Sequence, residues 1–347
     1  MNDRIRVGGA VFVAVCLFLG VQLGALALVE PFQEAGHQAV DDPEDPTNSV
    51  LYFGIILVAT GFMLAAFKYD LQWMIRGLII AVSVMLAWFV FAEVLPPVAT
   101  YGGANVVAVA ASLAVGVALY VYPEWYVIDL AGVLIGAGAA GLFGISFGLF
   151  PALVLLVALA VYDAISVYKT EHMLSLAEGV MDLRIPVILV IPTSLSYSHL
   201  ASGATEDVIS ERDRQHAEGD GGTADPEPAD RGEDDGSPNG DEDDPSEADL
   251  ERDALFIGLG DAVIPTILVA SAAYFLEAGT IDVPMIALNL PALGAMVGTI
   301  AGLLVLMYMV LQGRAHAGLP LLNGGAIGGY LLGAVVSGVS IVTALGF

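Results

Sequence analysis

Apolar residues in this chain come in long unbroken runs rather than in strict alternation, the pattern of segments surrounded by lipid on most sides. Runs from Ile5 to Val29, Ser49 to Phe67, Trp73 to Leu95, Gly103 to Tyr122, Val127 to Ile145, Gly148 to Tyr168, Ala254 to Leu276, Met285 to Leu311 and Leu319 to Leu345 stand out. Each can cross about 30 Å of hydrocarbon as a helix of roughly 20 residues. The expected fold is therefore an all-α polytopic membrane protein with nine transmembrane helices. Arg4, Arg6 and Ala25-Leu26-Ala27 give the first run some features of a signal peptide. Its apolar stretch is too long for one, so it is read as a retained helix.

Composition agrees, with 57% hydrophobic and 14% charged residues. The net charge of −27 is not spread evenly: 20 of the 38 acidic residues lie between Glu206 and Asp253, against only Arg212, Arg214, Arg231 and Arg252. A segment so rich in Asp, Glu, Gly and Pro buries too little apolar area to offset its chain entropy and is expected to be a disordered linker. The chain then divides into a six-helix part over 1–197, an acidic cytoplasmic linker over 198–253 and a three-helix part over 254–347. Lysine is confined to Lys68 and Lys169, and an acidic, lysine-poor surface fits a high-salt habitat.

Cys16 is the only cysteine, which excludes an intramolecular disulfide. His37, His172, His199, His216 and His316 fall outside the runs with no partners at ligand spacing, so neither metal nor cofactor is expected. Phosphate-binding and dinucleotide signatures are absent, as is a basic patch for nucleic acid.

Orientation follows from the basic residues, which favour cytoplasmic loops. Arg4, Arg6, Lys68, Arg76, Lys169, Arg184 and Arg314 all fall at alternate loops, while Glu30 to Asn48, Pro96 to Gly102 and Glu277 to Pro284 carry none. The amino terminus is expected in the cytoplasm and the carboxyl terminus outside, in a multi-pass protein of the cell membrane. With this orientation two acids stand at matched depth. Asp163 lies about five residues, roughly 8 Å, before the cytoplasmic end of the sixth helix. Asp261 lies about seven residues, roughly 11 Å, into the seventh. Glu93 and Asp129 sit nearer the ends of their runs, where water is accessible.

An ionisable group in lipid costs several kcal/mol unless it is paired, protonated or wetted. Two carboxylates in contact share a proton, and such a pair can activate water with one member while the other polarises a carbonyl. A structural pair, or a proton relay in a transporter or channel, satisfies the same residues.

Tyr162-Asp163 and Gly258-Leu259-Gly260-Asp261 resemble the YD and GxGD signatures of the presenilin and signal peptide peptidase family of intramembrane aspartyl proteases. The stretch from Val161 to Pro192 is similar to the archaeal presenilin-type members. The resemblance implies hydrolysis of a peptide bond within a substrate's transmembrane helix, with Asp163 and Asp261 as the catalytic dyad and the lipid bilayer as the setting. It also implies action without obligatory partner subunits. Tyr162, Gly258, Leu259 and Gly260 are assigned to shaping the site, the glycines serving either substrate approach or helix packing.

The family's Pro-Ala-Leu motif has two candidates. Literal Pro291-Ala292-Leu293 falls in the eighth run, whereas Pro320-Leu321-Leu322 opens the ninth on the side of both aspartates and is preferred. Met173, Leu174, Ala177, Val180 and Met181 share a helical face and predict an interfacial amphipathic helix. The β-branched run Ile185 to Pro192 is too short to span; a strand and an apolar strip on the membrane surface both fit it. In presenilins the comparable region pairs with unwound substrate, a form of strand addition.

Overall fold

The computed structural model describes residues 3–40, 42–69, 71–169, 188–192, 254–310 and 317–347. The expected acidic linker and amphipathic helix lie outside the described residues. Nine long helices are seen among those described: α1 (Asp3–Glu34), α2 (Thr47–Lys68), α3 (Gln72–Val94), α4 (Val106–Val121), α5 (Trp125–Ser146), α6 (Leu149–Lys169), α7 (Leu259–Phe275), α8 (Leu290–Val310) and α9 (Gly318–Val336). Seven are long and apolar enough to cross a membrane, while α4 and α7 are shorter apolar helices of 16 and 17 residues. The chain is thus a multi-pass membrane protein.

Several runs are shorter as helices than their apolar length predicts, each for a local reason. The fourth begins only at Val106, because Gly102 and Gly103, both at positive φ, turn the two-residue strands β1 (Thr100–Tyr101) and β2 (Ala104–Asn105) into a hairpin. Asn105 then caps α4 by accepting the N–H groups of Val107 and Ala108. The eighth starts at Leu290 instead of Met285. Asn289 stops α7 and starts α8: its amide donates to the Ala272 and Leu276 carbonyls and its Oδ1 accepts from Ala292 N–H at 2.8 Å. The ninth ends at Val336, where Gly338 takes φ +81° and reverses the chain into the short α10 (Ile341–Ala344). Tyr330 closes that turn by donating its hydroxyl to the Ala344 carbonyl at 2.6 Å.

The seventh run divides most consequentially. Ala254–Gly258 forms strand β4, antiparallel to β3 (Ile188–Pro192), with Val190 opposite Phe256 and Ile188 opposite Gly258. Only at Leu259 does the helix begin. Non-helical backbone at such a place is tolerated where it pairs within protein or lines a water-filled cavity.

At the centre stands α5, whose small residues let neighbours approach from several sides. Gly136 meets α1 and α7 through Val21 and Val263, Gly138 meets Val90 of α3, and Gly144 lies against Ala270 of α7. At one end of the bundle His37 pairs with Glu93 at 2.9 Å, tying the end of α1 to that of α3. The closest crossing is between α8 and α9. Gly294, Gly298 and Gly302 face Gly325, Gly329 and Leu321–Leu322 backbone to backbone, so a methyl group at Gly298 would overlap the Gly325 carbonyl oxygen.

That crossing gives a test of packing against composition. Gly298→Leu and Gly329→Leu are each expected to destabilise by about 1–3 kcal/mol through overpacking, read as a lower thermal midpoint in detergent. Gly324→Ala and Gly328→Ala, where a methyl would meet nothing within 4 Å, are expected to leave it nearly unchanged.

Candidate active site

The amino end of α9 holds the site together. The first turn of a helix has N–H groups without intrahelical partners, and these attract negative charge. Asp163, fifteenth in the 21-residue α6 and only 7% exposed, answers that need: its Oδ2 accepts the Leu319 N–H at 3.0 Å, and the Gly318 amide also bonds to it. Asn323, one turn further along α9, donates to the Leu156 carbonyl of α6 at 2.9 Å. Two turns of α6 are thereby fixed against two turns of α9.

Asp261 comes to the same place from α7. Because that helix starts at Leu259, Asp261 occupies its first turn rather than lying seven residues inside a helix as its run predicts. A Cβ built on Gly318 would lie 3.3 Å from Asp261 Oδ2, and one built on Gly258 would lie 3.7 Å from it. Both carboxylates therefore converge on the Gly318–Leu319 step, within electrostatic reach of each other. The amino end of α9 points backbone N–H groups at Asp163, which partly offsets the cost of keeping its charge out of water.

The other sequence-singled residues take distinct places. Leu259 sits over Gly132 and Gly136 of α5, while Gly260 faces Ile264 one turn on. Tyr162 turns away toward α2, its ring edge-on to Phe53 at 6.2 Å. Pro320, Leu321 and Leu322 form the first turn of α9, directly after the two residues that meet the carboxylates. Pro291, Ala292 and Leu293 lie in the first turn of α8, held by Asn289 at the carboxyl end of α7 and thus at the far end of that helix from Asp261.

Sequence patterns do not mark three residues of the site, nor a fourth that lies beside the β3–β4 ribbon. Gly318 and Leu319 immediately precede Pro320, and their part depends on helix-end geometry that no motif announces. Asn323 was indistinguishable from a polar residue in any span. Asp129, set aside as near a helix end, is in fact buried at 4% exposure and accepts the Val190 N–H at 2.7 Å. Among the described residues no group of three His, Cys, Asp or Glu side chains is placed to hold a metal.

A helical membrane bundle with two carboxylates converging at the amino end of α9 fits the class of intramembrane aspartic enzymes, and the comparisons decide for it. Comparison with family models matches residues 15–339 to "Signal-peptide peptidase, presenilin aspartyl protease", and the chain belongs to that family. A solved structure of a presenilin family intramembrane aspartate protease, in space group C222, is 31% identical, covers 94% of this chain and 99% of its own, and superposes with a TM-score of 0.59. A second structure of a presenilin family intramembrane aspartate protease, in space group P2, is 33% identical over 93% of this chain and 96% of its own, with a TM-score of 0.56. No curated protein matches.

The crowding at Gly318 yields an expectation. Gly318→Val places branched carbons where Asp261 Oδ2 and Leu306 Cδ2 already stand at 3.3 and 3.4 Å from a Cβ. Peptide cleavage by this variant should fall at least about tenfold, as a misplacement of the order of 1 Å can bring. A parallel melting curve distinguishes this loss from unfolding.

Proposed function

We propose that Asp163 and Asp261 are the catalytic pair with which this intramembrane aspartyl protease hydrolyses peptide bonds in the transmembrane helices of its substrates. The observation that carries this reading is the convergence of both carboxylates on the Gly318–Leu319 step. One carboxylate, ionised, takes a proton from a water molecule while the oxygen attacks the scissile carbonyl carbon. The other, protonated, hydrogen-bonds the carbonyl oxygen and gives up its proton as the tetrahedral diol forms. Collapse of the diol breaks the C–N bond, and a proton passes to the leaving amine. Membership of an aspartyl protease family decides for proteolysis over the proton-coupled transporter or channel that the same buried acids would also fit.

A helical peptide bond is protected by its own hydrogen bonds, so the substrate must be unwound, and an extended peptide needs a strand edge. The register favours β4. Val190 gives its N–H to Asp129 and not to β4, so Val190 and Phe256 form a non-hydrogen-bonded pair. By the same alternation the N–H and C=O of Phe256 point outward from β4, with those of Ala254 and Gly258 in step. Gly258 is three residues from Asp261. We therefore assign the substrate strand to β4 rather than to β3, and the PAL-like role to Pro320–Leu322.

The nine helices are read as nine crossings with the amino terminus cytoplasmic, in two membrane parts joined by 198–253, and the enzyme as self-sufficient. Purified protein incubated with a labelled transmembrane peptide tests the central reading. Specific cleavage should disappear, by at least about a thousandfold, in both Asp163→Asn and Asp261→Asn. Cleavage persisting at the original rate in either variant overturns it.

A further inference from the structure

The unused edge of β3 is closed by a carboxylate from a helix that carries neither member of the dyad. An edge strand normally leaves its outward N–H groups to water or to another strand. Here Asp129 Oδ1 takes the Val190 N–H at 2.7 Å, deep enough that Asp129 is 4% exposed. The same turn of α5 packs Ile128 and Trp125 against Val190 and Ala254, one residue from each strand. One turn on, Gly132 leaves room for Leu189, and Gly136 for Leu259 and Val263 of α7. A single face of α5 thus seats β3 by its backbone, then by a side chain, and then receives the first turns of the helix that carries Asp261.

We propose that Asp129 is a positioning residue that fixes the register of the β3–β4 ribbon, and through it the bond of a β4-bound peptide that reaches the dyad. The proposal rests on the reading of β4 as the substrate edge. An acceptor is all that is required: a carboxylate, a carboxylic acid or a carboxamide at this position each presents an oxygen to Val190. Among the described residues, this is the polar contact seen to hold β3 along α5. Because successive side chains alternate faces, a shift that keeps the apolar face buried moves the ribbon by two residues at a time. Loss of the acceptor therefore changes where a peptide is cut more than whether it is cut.

The test is the product pattern from one labelled transmembrane peptide, read by mass spectrometry, together with kcat and KM. Asp129→Leu should divert at least about half of the cleavage to bonds two residues away and raise KM about tenfold, the size expected for a buried hydrogen-bonding group left unpaired. Asp129→Asn, which keeps the acceptor, should retain the wild-type products and KM. Val190→Pro deletes the same hydrogen bond from the other side at a position where β4 needs no N–H, and should reproduce the leucine pattern even if Asp129→Leu fails to fold. Wild-type products from Val190→Pro, or an asparagine variant as altered as the leucine one, overturn the proposal. Asp163→Asn run alongside separates the two levels: if it still cleaves, the proteolytic reading fails. If it is inactive while Val190→Pro cuts at the original bond, only the role of Asp129 fails.

Discussion

Free amide groups at a helix start are what allow an acid to live inside this bundle. A carboxylate removed from water must be met by donors of fixed position. The amino end of α9 supplies them to Asp163 with no side chain involved. The rest of the site is arranged around that contact. Asn323 and the Leu156 carbonyl keep α6 in line with α9, and Gly318 leaves the space into which Asp261 extends. Even the glycine crossing of α8 and α9 serves it, since a start of α9 displaced by a side chain's width would no longer face α6.

Much of this is legible in the amino-acid sequence. Apolar run length separates the long helices, because a crossing needs roughly 20 apolar residues, and seven of the nine reach spanning length. The pairing of Asp163 with Asp261 followed from depth alone, since antiparallel helices bring residues at equal depth into the same layer. What run length cannot see is a change of backbone state within an apolar stretch. Phe256 and Ile267 look equally suited to a lipid-facing helix. Whether Ala254–Gly258 joins a strand instead is decided by a partner 66 residues earlier in the register, Ile188–Pro192. The strand-like reading of Ile185–Pro192 came from β-branching and flanking prolines; its partner had no comparable mark.

Asp129 shows the opposite difficulty. Its position was plain, and counting from the helix end placed it near water. Burial came from tertiary packing: the ribbon, folded back over the first turns of α5, covers it and supplies the N–H it accepts. For the two PAL-like segments, topology already places Pro320–Leu322 on the side of both aspartates. Literal spelling pointed to Pro291, while Asn289 ties that segment to the carboxyl end of α7.

The alternation within the ribbon has a pharmacological corollary. Pro192 lies opposite Ala254, two residues from the non-bonded pair of Val190 and Phe256, so its missing N–H costs the ribbon nothing. The outer side of β4 follows the same rhythm, presenting polar backbone at every second residue and bare Cα–H between. On the proposed reading of β4 as the substrate edge, a peptidomimetic laid along it has only alternate amides facing the strand, and the intervening nitrogens are free to carry methyl groups that harden it against ordinary peptidases.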